Sequence, residues 1–219
     1  MIKSKEDYNY YIEADRIANE LPKYPSLLKR FKNILFPNYV WRFEKVLRKL
    51  EYYNNCKKGL IAIIYRFFLT KKYNNLSLKL GFSIPYNVFG PGLSIAHYGT
   101  IIINSGAKIG ANCRLHACVN IGTEAGHHNK APSIGDNCYI GPGVKMYGEI
   151  HIADGIAIGA NSVVNKSFYE SNIAIAGVPA KKIANVDTTD LLVPGSQIMD
   201  GNYNKNNELY KMLETELYS

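Results

Sequence analysis

A six-residue repeat fills the middle of this chain and is the feature that most restricts its fold. Each unit opens with an aliphatic residue or methionine, often continues with glycine, and has a small or aliphatic residue in fifth place. The units begin at Ile103, Ile109, Leu115, Ile121, Ile134, Ile140, Met146, Ile152 and Ile158. A short strand and a turn of this length form one side of a triangular coil, with the opening residues stacked inside. The period therefore predicts a parallel β-helix.

The fifth positions share the interior of the predicted coil and must be small. They are occupied by Ala107, Cys113, Val119, Cys138, Val144, Ile150, Ile156 and Ser162. Two of the four cysteines fall here. Because no CxxC motif or dense spacing is present, we expect all four to be small buried residues of a protein in a reducing compartment. Glycine in second place predicts corners where a side chain would clash or where the backbone needs a positive φ.

The repeat is interrupted once. Ile121 and Ile134 are thirteen residues apart, so seven extra residues leave the coil in a loop that contains residues 123–132. Loops on a rigid scaffold are where functional residues concentrate. We expect the coil to end near Phe168 and to be followed by the closing segment 175–183.

The chain is expected to divide into three parts. Helical patterns over Trp41–Tyr53 and Cys56–Leu80, separated by a break at Asn54 and Asn55, predict a helical segment. The expected parts are an N-terminal helical domain 1–80, a β-helix domain 81–186, and a linker with a short C-terminal helix, 187–219. We place that last helix at about 206–218.

The net charge of +8 is concentrated in the first part, where residues 1–80 contain 17 Lys and Arg but 7 Asp and Glu. A basic helical surface suits anionic lipid, nucleic acid or a charged polymer, and it is also typical of a solvated helix face. No nucleic-acid motif accompanies it, so no nucleic-acid partner is expected. The first residues lack the apolar core of a signal peptide, and the apolar run Leu60–Leu69 is too short to span a bilayer. These features predict a cytoplasmic protein without an integral membrane segment.

The repeat, the loop and the sequence Ala-Gly-Val-Pro-Ala-Lys-Lys-Ile at 176–183 together resemble the hexapeptide acyltransferase family over about residues 80–185. Within it the chain is most similar to serine acetyltransferases and to their relatives in capsule and exopolysaccharide biosynthesis. The resemblance implies a left-handed β-helix, an acetyl-CoA donor, a site between neighbouring chains of a trimer, and no metal.

The resemblance assigns the catalytic histidine to His97. A histidine with its ordinary pKa can accept the proton of an attacking hydroxyl at neutral pH and then protonate the leaving thiolate. Counting back in sixes from Ile103 lands on His97, so we expect its ring at an interior position of the coil. His116 and His151 match no catalytic position, and we expect structural or surface roles for both.

The resemblance also assigns binding residues. The acetyl-CoA positions are Gly141, Pro142, Gly159, Ala160, Gly177, Lys181 and Lys182. Small residues let the pantetheine arm approach the backbone, and the lysines offer point charges to phosphates. The acceptor candidates are Tyr98, His127, His128 and Asn129.

Three departures from serine acetyltransferases concern the acceptor. Ala96 stands where those enzymes have an Asp before the catalytic histidine, and Phe82 aligns with a second Asp. Asn129-Lys130-Ala131-Pro132 replaces an Asp-Arg-His-Pro stretch. Because an amino-acid acceptor needs charged partners, we expect a sugar hydroxyl as the acceptor, in capsule or other surface polysaccharide biosynthesis. Serine O-acetylation in cysteine biosynthesis is the alternative.

Two further alternatives are weaker. The pair His127-His128 suggests a zinc site like that of β-helix (γ-type) carbonic anhydrases, but the spacing to His97 and His116 does not match. A non-catalytic scaffold is disfavoured by the presence of His97 and the closing segment. For the assembly we expect a homotrimer, with a hexamer as the alternative, because the helical segment is shorter than the one that joins two serine acetyltransferase trimers.

Overall fold

The computed structural model describes residues 1–127 and 129–202 and shows a helical N-terminal part followed by a coil of short strands. The helices are α1 (Lys5–Ala18), α2 (Leu27–Leu35), α3 (Tyr39–Cys56), α4 (Leu60–Leu80) and α5 (Gly195–Met199). The strands are β1 (Phe82–Ser83), β2 (Ser94–Ile95), β3 (Ile101–Ile103), β4 (Lys108–Ile109), β5 (Arg114–Leu115), β6 (Asn120–Gly122), β7 (Ser133–Ile134), β8 (Tyr139–Ile140), β9 (Lys145–Tyr147), β10 (His151–Ile152), β11 (Ala157–Ile158), β12 (Val163–Val164), β13 (Ile173–Gly177) and β14 (Ala180–Asn185).

The strands form three parallel faces of a left-handed β-helix. One face has the order β1-β3-β6-β9-β12, the second β4-β7-β10, and the third β2-β5-β8-β11-β13, to which β14 is added antiparallel. Ile103 pairs with Ile121 and Ile140 with Ile158, so one turn takes 18 residues, three units of six. The fold predicted from the repeat is confirmed.

The loop length is confirmed by the register across the interruption. Ile121 pairs with Met146, and Leu115 with Ile140. Both pairs are 25 residues apart, one turn plus the seven extra residues.

The first-position side chains form the core of the coil. Ile95, Leu115, Ile140, Ile158 and Ile175 stack along one face and are all buried. Cys113, Cys138 and Ser162, at fifth positions, are buried as expected, and the Ser162 hydroxyl donates to the Gly159 carbonyl at 2.7 Å. The expectation of four buried cysteines is wrong for Cys118, which is exposed, and Cys56 is half-buried.

The backbone turns at the fourth position of the unit, not at the second. Positive φ angles occur at the fourth-place residues Asn112, Cys118, Asn137, Gly143, Gly155 and Asn161. Asparagine and glycine tolerate this region best. The second-place glycines, such as Gly141, have ordinary φ angles and are required by close stacking: a Cβ on Gly141 would lie 2.6 Å from the Ile158 carbonyl oxygen. The steric clash predicted for a side chain at the second position is confirmed, and the prediction of a positive φ at that position is wrong.

The helices differ from the predicted boundaries. α3 continues through Asn54 and Asn55 to Cys56, because the chain breaks instead at Gly59, whose φ is 91°. α1 and α2 were not predicted. Ser4 and Ser26 accept hydrogen bonds from the first turns of these two helices and so begin them.

The far end of the coil also continues beyond the expected limit. β13 adds one more strand after Phe168, stacked on β11. The expected linker contains α5, which packs against α1. The helix expected at 206–218 lies outside the described residues. No described helix is long and apolar enough to cross a bilayer.

Candidate functional site

One corner of the coil brings the expected catalytic and acetyl-CoA positions into line. The residues Ala96, His116, Gly141 and Gly159 directly follow strands of the third face, and Ala176, inside β13, is in register with them. Backbone hydrogen bonds link successive rungs, such as Gly141 N–H to the Ile158 carbonyl at 2.9 Å. The next residues along the chain are His97, Ala117, Pro142, Ala160 and Gly177. Rungs lie about 4.8 Å apart, so His97 and Gly177 are separated by about 19 Å along the coil. We call this line of residues the corner column.

His97 heads the corner column with an exposed side chain. The expectation of an interior ring is wrong, because the inward residues here are Ile95 and Ile101. The six-residue count fails since the chain leaves the strict repeat before Ile103. An exposed imidazole at a corner can meet a substrate, which an interior ring cannot. Tyr98, its neighbour, is also exposed.

His116 lies beside His97, with ring centroids 6.0 Å apart. Its Nε2 is buried and has no hydrogen-bond partner among the described residues. Burial, followed by the charges of Arg114 and His97, lowers the pKa of His116, so its ring is neutral at pH 7. A neutral ring can donate or accept one hydrogen bond to a bound molecule. In the sequence, His116 could have been noticed because it occupies the second position of its unit, where later units have Gly141 and Gly159.

Two buried carboxyl side chains of the helices and the half-buried Asn19, which caps α1, hold the strand that precedes His97. Asp15 accepts from the Leu93 N–H at 2.8 Å, and Glu44 accepts from the Ile95 N–H at 3.1 Å. Asn19 donates to the Leu93 carbonyl at 3.0 Å. These bonds fix the backbone four and two residues before His97. No local sequence pattern predicted them.

Arg48 completes this helix–coil contact. Its guanidinium pairs with Asp15 at 2.7 Å and with Glu51 at 3.1 Å, and it donates to the carbonyls of Phe89 and Gly90. These charged groups are buried, and each forms hydrogen bonds with a partner, as buried charges must. The helices are therefore bonded directly to the turn that leads to β2.

The acetyl-CoA positions form a lane without large side chains. Gly141 and Gly159 are adjacent on the corner column, and a Cβ on Gly159 would lie 2.9 Å from the Cβ of Ala176. Pro142, Ala160 and Gly177 are exposed beside them. A ligand along this lane would therefore meet the exposed residues Pro142, Ala160 and Gly177 and no large side chain from these positions.

Two lysines follow the lane, on the exposed strand β14. Lys182 pairs with Glu170 at 2.5 Å, whereas Lys181 has no ion pair among the described residues. Lys181 is thus better placed than Lys182 to offer an uncompensated charge to a phosphate group.

The loop lies at a different corner. It follows β6, whereas His97 follows β2, so one chain does not bring the two together. The loop is closed by an ion pair of 3.0 Å between Lys130 and Glu124, and His127 and Asn129 are exposed on it. His128 lies outside the described residues.

The structure shows the surroundings of Phe82 and Ala96, two of the positions at which the sequence differs from serine acetyltransferases. Phe82 is buried against Phe43, with ring centroids 5.1 Å apart, and Ala96 offers only a methyl group beside His97. Across residues 1–127 and 129–202, no carboxylate forms an ion pair with a histidine. The same residues contain no group of three side chains that could hold a metal. His151 is exposed and stacks on Tyr169.

Comparison with known proteins finds similar sequences and similar folds. Residues 131–166 match the family described as bacterial transferase hexapeptide (six repeats). The match lies within the coil, from the end of the loop to the residues after β12. The chain resembles a serine acetyltransferase from Staphylococcus xylosus at 29% identity over 80% of this chain and 74% of the relative. It resembles one from Buchnera aphidicola subsp. Acyrthosiphon pisum at 31% identity, over 48% of this chain.

Two solved structures are similar over most of the chain. The serine acetyltransferase of Neisseria gonorrhoeae in complex with serine is 25% identical, with a TM-score of 0.62 over 83% of this chain and 71% of that one. The enzyme of Brucella abortus strain S19 in complex with coenzyme A is 22% identical, with a TM-score of 0.60 over 83% and 68%. The alignment with the Buchnera relative covers 38% of that relative's length, about two fifths.

Proposed function

We propose that this chain is an acetyl-CoA-dependent O-acetyltransferase in which His97 is the general base. The observation that supports this most is the corner column, with an exposed imidazole at its head, a lane of small residues below it and Lys181 at its end. The relatives reported above are all called serine acetyltransferases.

The proposed reaction is a direct transfer. His97 removes the proton of the acceptor hydroxyl while its oxygen attacks the thioester carbonyl, and the imidazolium returns the proton to the departing CoA thiolate. The lane beside Gly141 and Gly159 lets the pantetheine arm lie against backbone groups. Lys181 meets a phosphate of the nucleotide end. No acyl-enzyme is required.

Replacing His97 tests this assignment. His97→Ala should lower turnover by ~100- to 10,000-fold, as expected for loss of a general base. Acetyl-CoA binding, measured by calorimetry, should persist because the lane is unchanged. His151→Ala, an exposed histidine outside the corner column, is the matched control and should retain turnover. Near-normal turnover of His97→Ala would remove His97 from the mechanism.

The comparisons favour L-serine as the acceptor, and thus favour the alternative over the sugar that the sequence led us to expect. A sugar hydroxyl is the second candidate. The observation in its favour is the absence of a carboxylate beside His97 in the described chain, where Ala96 and the buried Phe82 stand. The ammonium group of serine would need such a partner.

A panel assay of CoA release decides between these acceptors. Free L-serine is compared with nucleotide sugars, oligosaccharides and capsular polymer at equal enzyme concentration. If serine is the acceptor, it alone should support rapid release. If a sugar is the acceptor, release with serine should stay near the rate of acetyl-CoA hydrolysis.

A further inference from the structure

The first half of α4 exposes a set of large apolar side chains. They are each more than half exposed: Leu60, Ile61, Ile63, Ile64, Phe67 and Phe68. The residues with which α4 packs, Ala62, Leu69, Leu76 and Leu80, form a separate stripe. Scattered exposed apolar residues are ordinary, but a contiguous group of this size marks a contact surface. We call it the α4 patch.

A basic cleft adjoins the α4 patch and shares Phe68 with it. The cleft lies between α3 and α4 and has a volume of about 970 Å³. Its cations are Arg42, Lys45, Lys49, Lys71 and Lys72, and no carboxylate of residues 1–127 or 129–202 lines it. Burial lowers the pKa of Lys45, and the charges of Arg42 and Lys72 lower it further. The cleft therefore has an uncompensated positive potential.

The sequence around the cleft offers almost no negative charge. Between residues 21 and 80 there are fourteen Lys and Arg, and the only carboxylates are Glu44 and Glu51. Both are buried: Glu51 accepts hydrogen bonds from Arg48 and from the Asn87 N–H, and Glu44 accepts one from the Ile95 N–H. The basic surface thus lacks acidic partners within its own segment.

α2 has the same chemistry. Its apolar residues Leu27, Leu28, Phe31, Ile34 and Leu35 are exposed, and Lys29, Arg30 and Lys32 stand between them. No residue of α2 is buried. Against the part of the chain that the structure describes, α2 buries nothing, and a strongly amphipathic helix of this kind requires another apolar phase or partner.

We propose that α2, the α4 patch and the basic cleft bind the surface of an anionic phospholipid bilayer. The apolar side chains enter the interface between head groups and acyl chains, while the lysines and arginines meet lipid phosphates. A second copy of the chain fits less well, because two basic surfaces repel each other. A soluble polyanion would satisfy the cations but leave the α4 patch in water. This inference is independent of the acceptor.

Vesicle sedimentation of the full chain tests the proposal. The probes are vesicles of phosphatidylcholine with phosphatidylglycerol and vesicles of phosphatidylcholine alone. The protein should sediment with the anionic vesicles and dissociate as salt is raised. Each basic residue at an anionic surface is worth roughly fivefold in affinity, so Lys71→Glu/Lys72→Glu should weaken binding by at least ~25-fold. Lys108→Glu/Lys166→Glu, with the same charge change on the coil, should bind as the wild type does.

The apolar contribution is tested by Phe68→Ser, with Tyr169→Ser as the control for loss of an exposed aromatic ring on the coil. Phe68→Ser should weaken vesicle binding roughly tenfold, and Tyr169→Ser should not. Because Phe68 is exposed, circular dichroism should show an unchanged fold. Equal sedimentation with both vesicle types, or none with either, would overturn the proposal. So would a Phe68→Ser variant that binds vesicles normally but changes its mass in light scattering, since that result identifies a second copy as the partner.

Discussion

At the scale of single residues, the helix–coil contact places three carboxyl groups around one guanidinium. Asp15, Glu44 and Glu51 are buried with Arg48. Burial raises the pKa of Glu44 well above its usual range, and the charge of Asp15 raises it further. A single positive charge cannot neutralise three carboxylates in a dry interior, so Glu44 is the group that holds a proton most readily.

This contact predicts a pH dependence of stability. The Glu44 carboxyl group binds its proton more tightly in the folded state than in the unfolded state, where its pKa is about 4.3. Stability at this site is therefore lost as pH rises from about 4.3 to the raised folded pKa, with a slope approaching ~1.4 kcal/mol per pH unit. Glu44→Gln should remove that loss.

The measurement is the thermal midpoint of both proteins from pH 4.5 to 8 at one protein concentration. Glu149→Gln, at an exposed carboxylate of the coil, controls for the substitution itself. Parallel profiles for the wild type and Glu44→Gln would contradict the role given to Glu44.

At the scale of elements, the repeat predicted the coil because the residue type at each position of a unit is determined by contacts with the neighbouring rungs. Ile140 is inward, Cys138 is buried and Gly141 is tightly stacked for reasons confined to neighbouring rungs. The positions expected for acetyl-CoA fall on one line because the period fixes which residues share a corner. Residues that act across the fold gave no such signal. The hydrogen bond between the Ile95 N–H and Glu44 joins positions 51 apart in the chain. The position of His116 beside His97 became evident only when the structure had shown which residues share the corner column.

Two glycines at the same place in the repeat provide a test of this stacking. A Cβ on Gly141 would meet backbone atoms at 2.6 and 3.0 Å, whereas a Cβ on Gly122 would meet only the Asn120 side chain at 3.5 Å. Gly141→Ala should therefore lower the free energy of unfolding by ~1–3 kcal/mol, as overpacking does. Gly122→Ala should change it by less than ~0.5 kcal/mol. The thermal midpoints of the two variants give the comparison, and equal midpoints would show that the rungs adjust freely.

At the scale of the whole molecule, the separation of His97 from the loop suggests a shared site. His97 and the loop occupy different corners of the triangle, so an acceptor held by both must lie between two chains. We therefore propose a homotrimer, and light scattering should give about 74 kDa, three times the 24.6 kDa chain. A monomer at micromolar concentration would contradict both the trimer and the shared site, and a doubled mass would indicate a hexamer.

The antiparallel strand β14 also has a consequence for the ends of this coil. A stack of parallel rungs has no natural last member, and the open edge of its final strand is a template on which another chain can continue the stack. On the third face β14 pairs antiparallel with β13: Ala180 is paired with Gly177 at one end, and Asn185 with Ile173 at the other. At the other end Phe82 and Ile84 are covered by Phe43 and Leu80 of the helices. The reversal of β14 therefore ends the parallel stack on the third face, so that a second copy of the chain cannot continue this face as a further parallel rung.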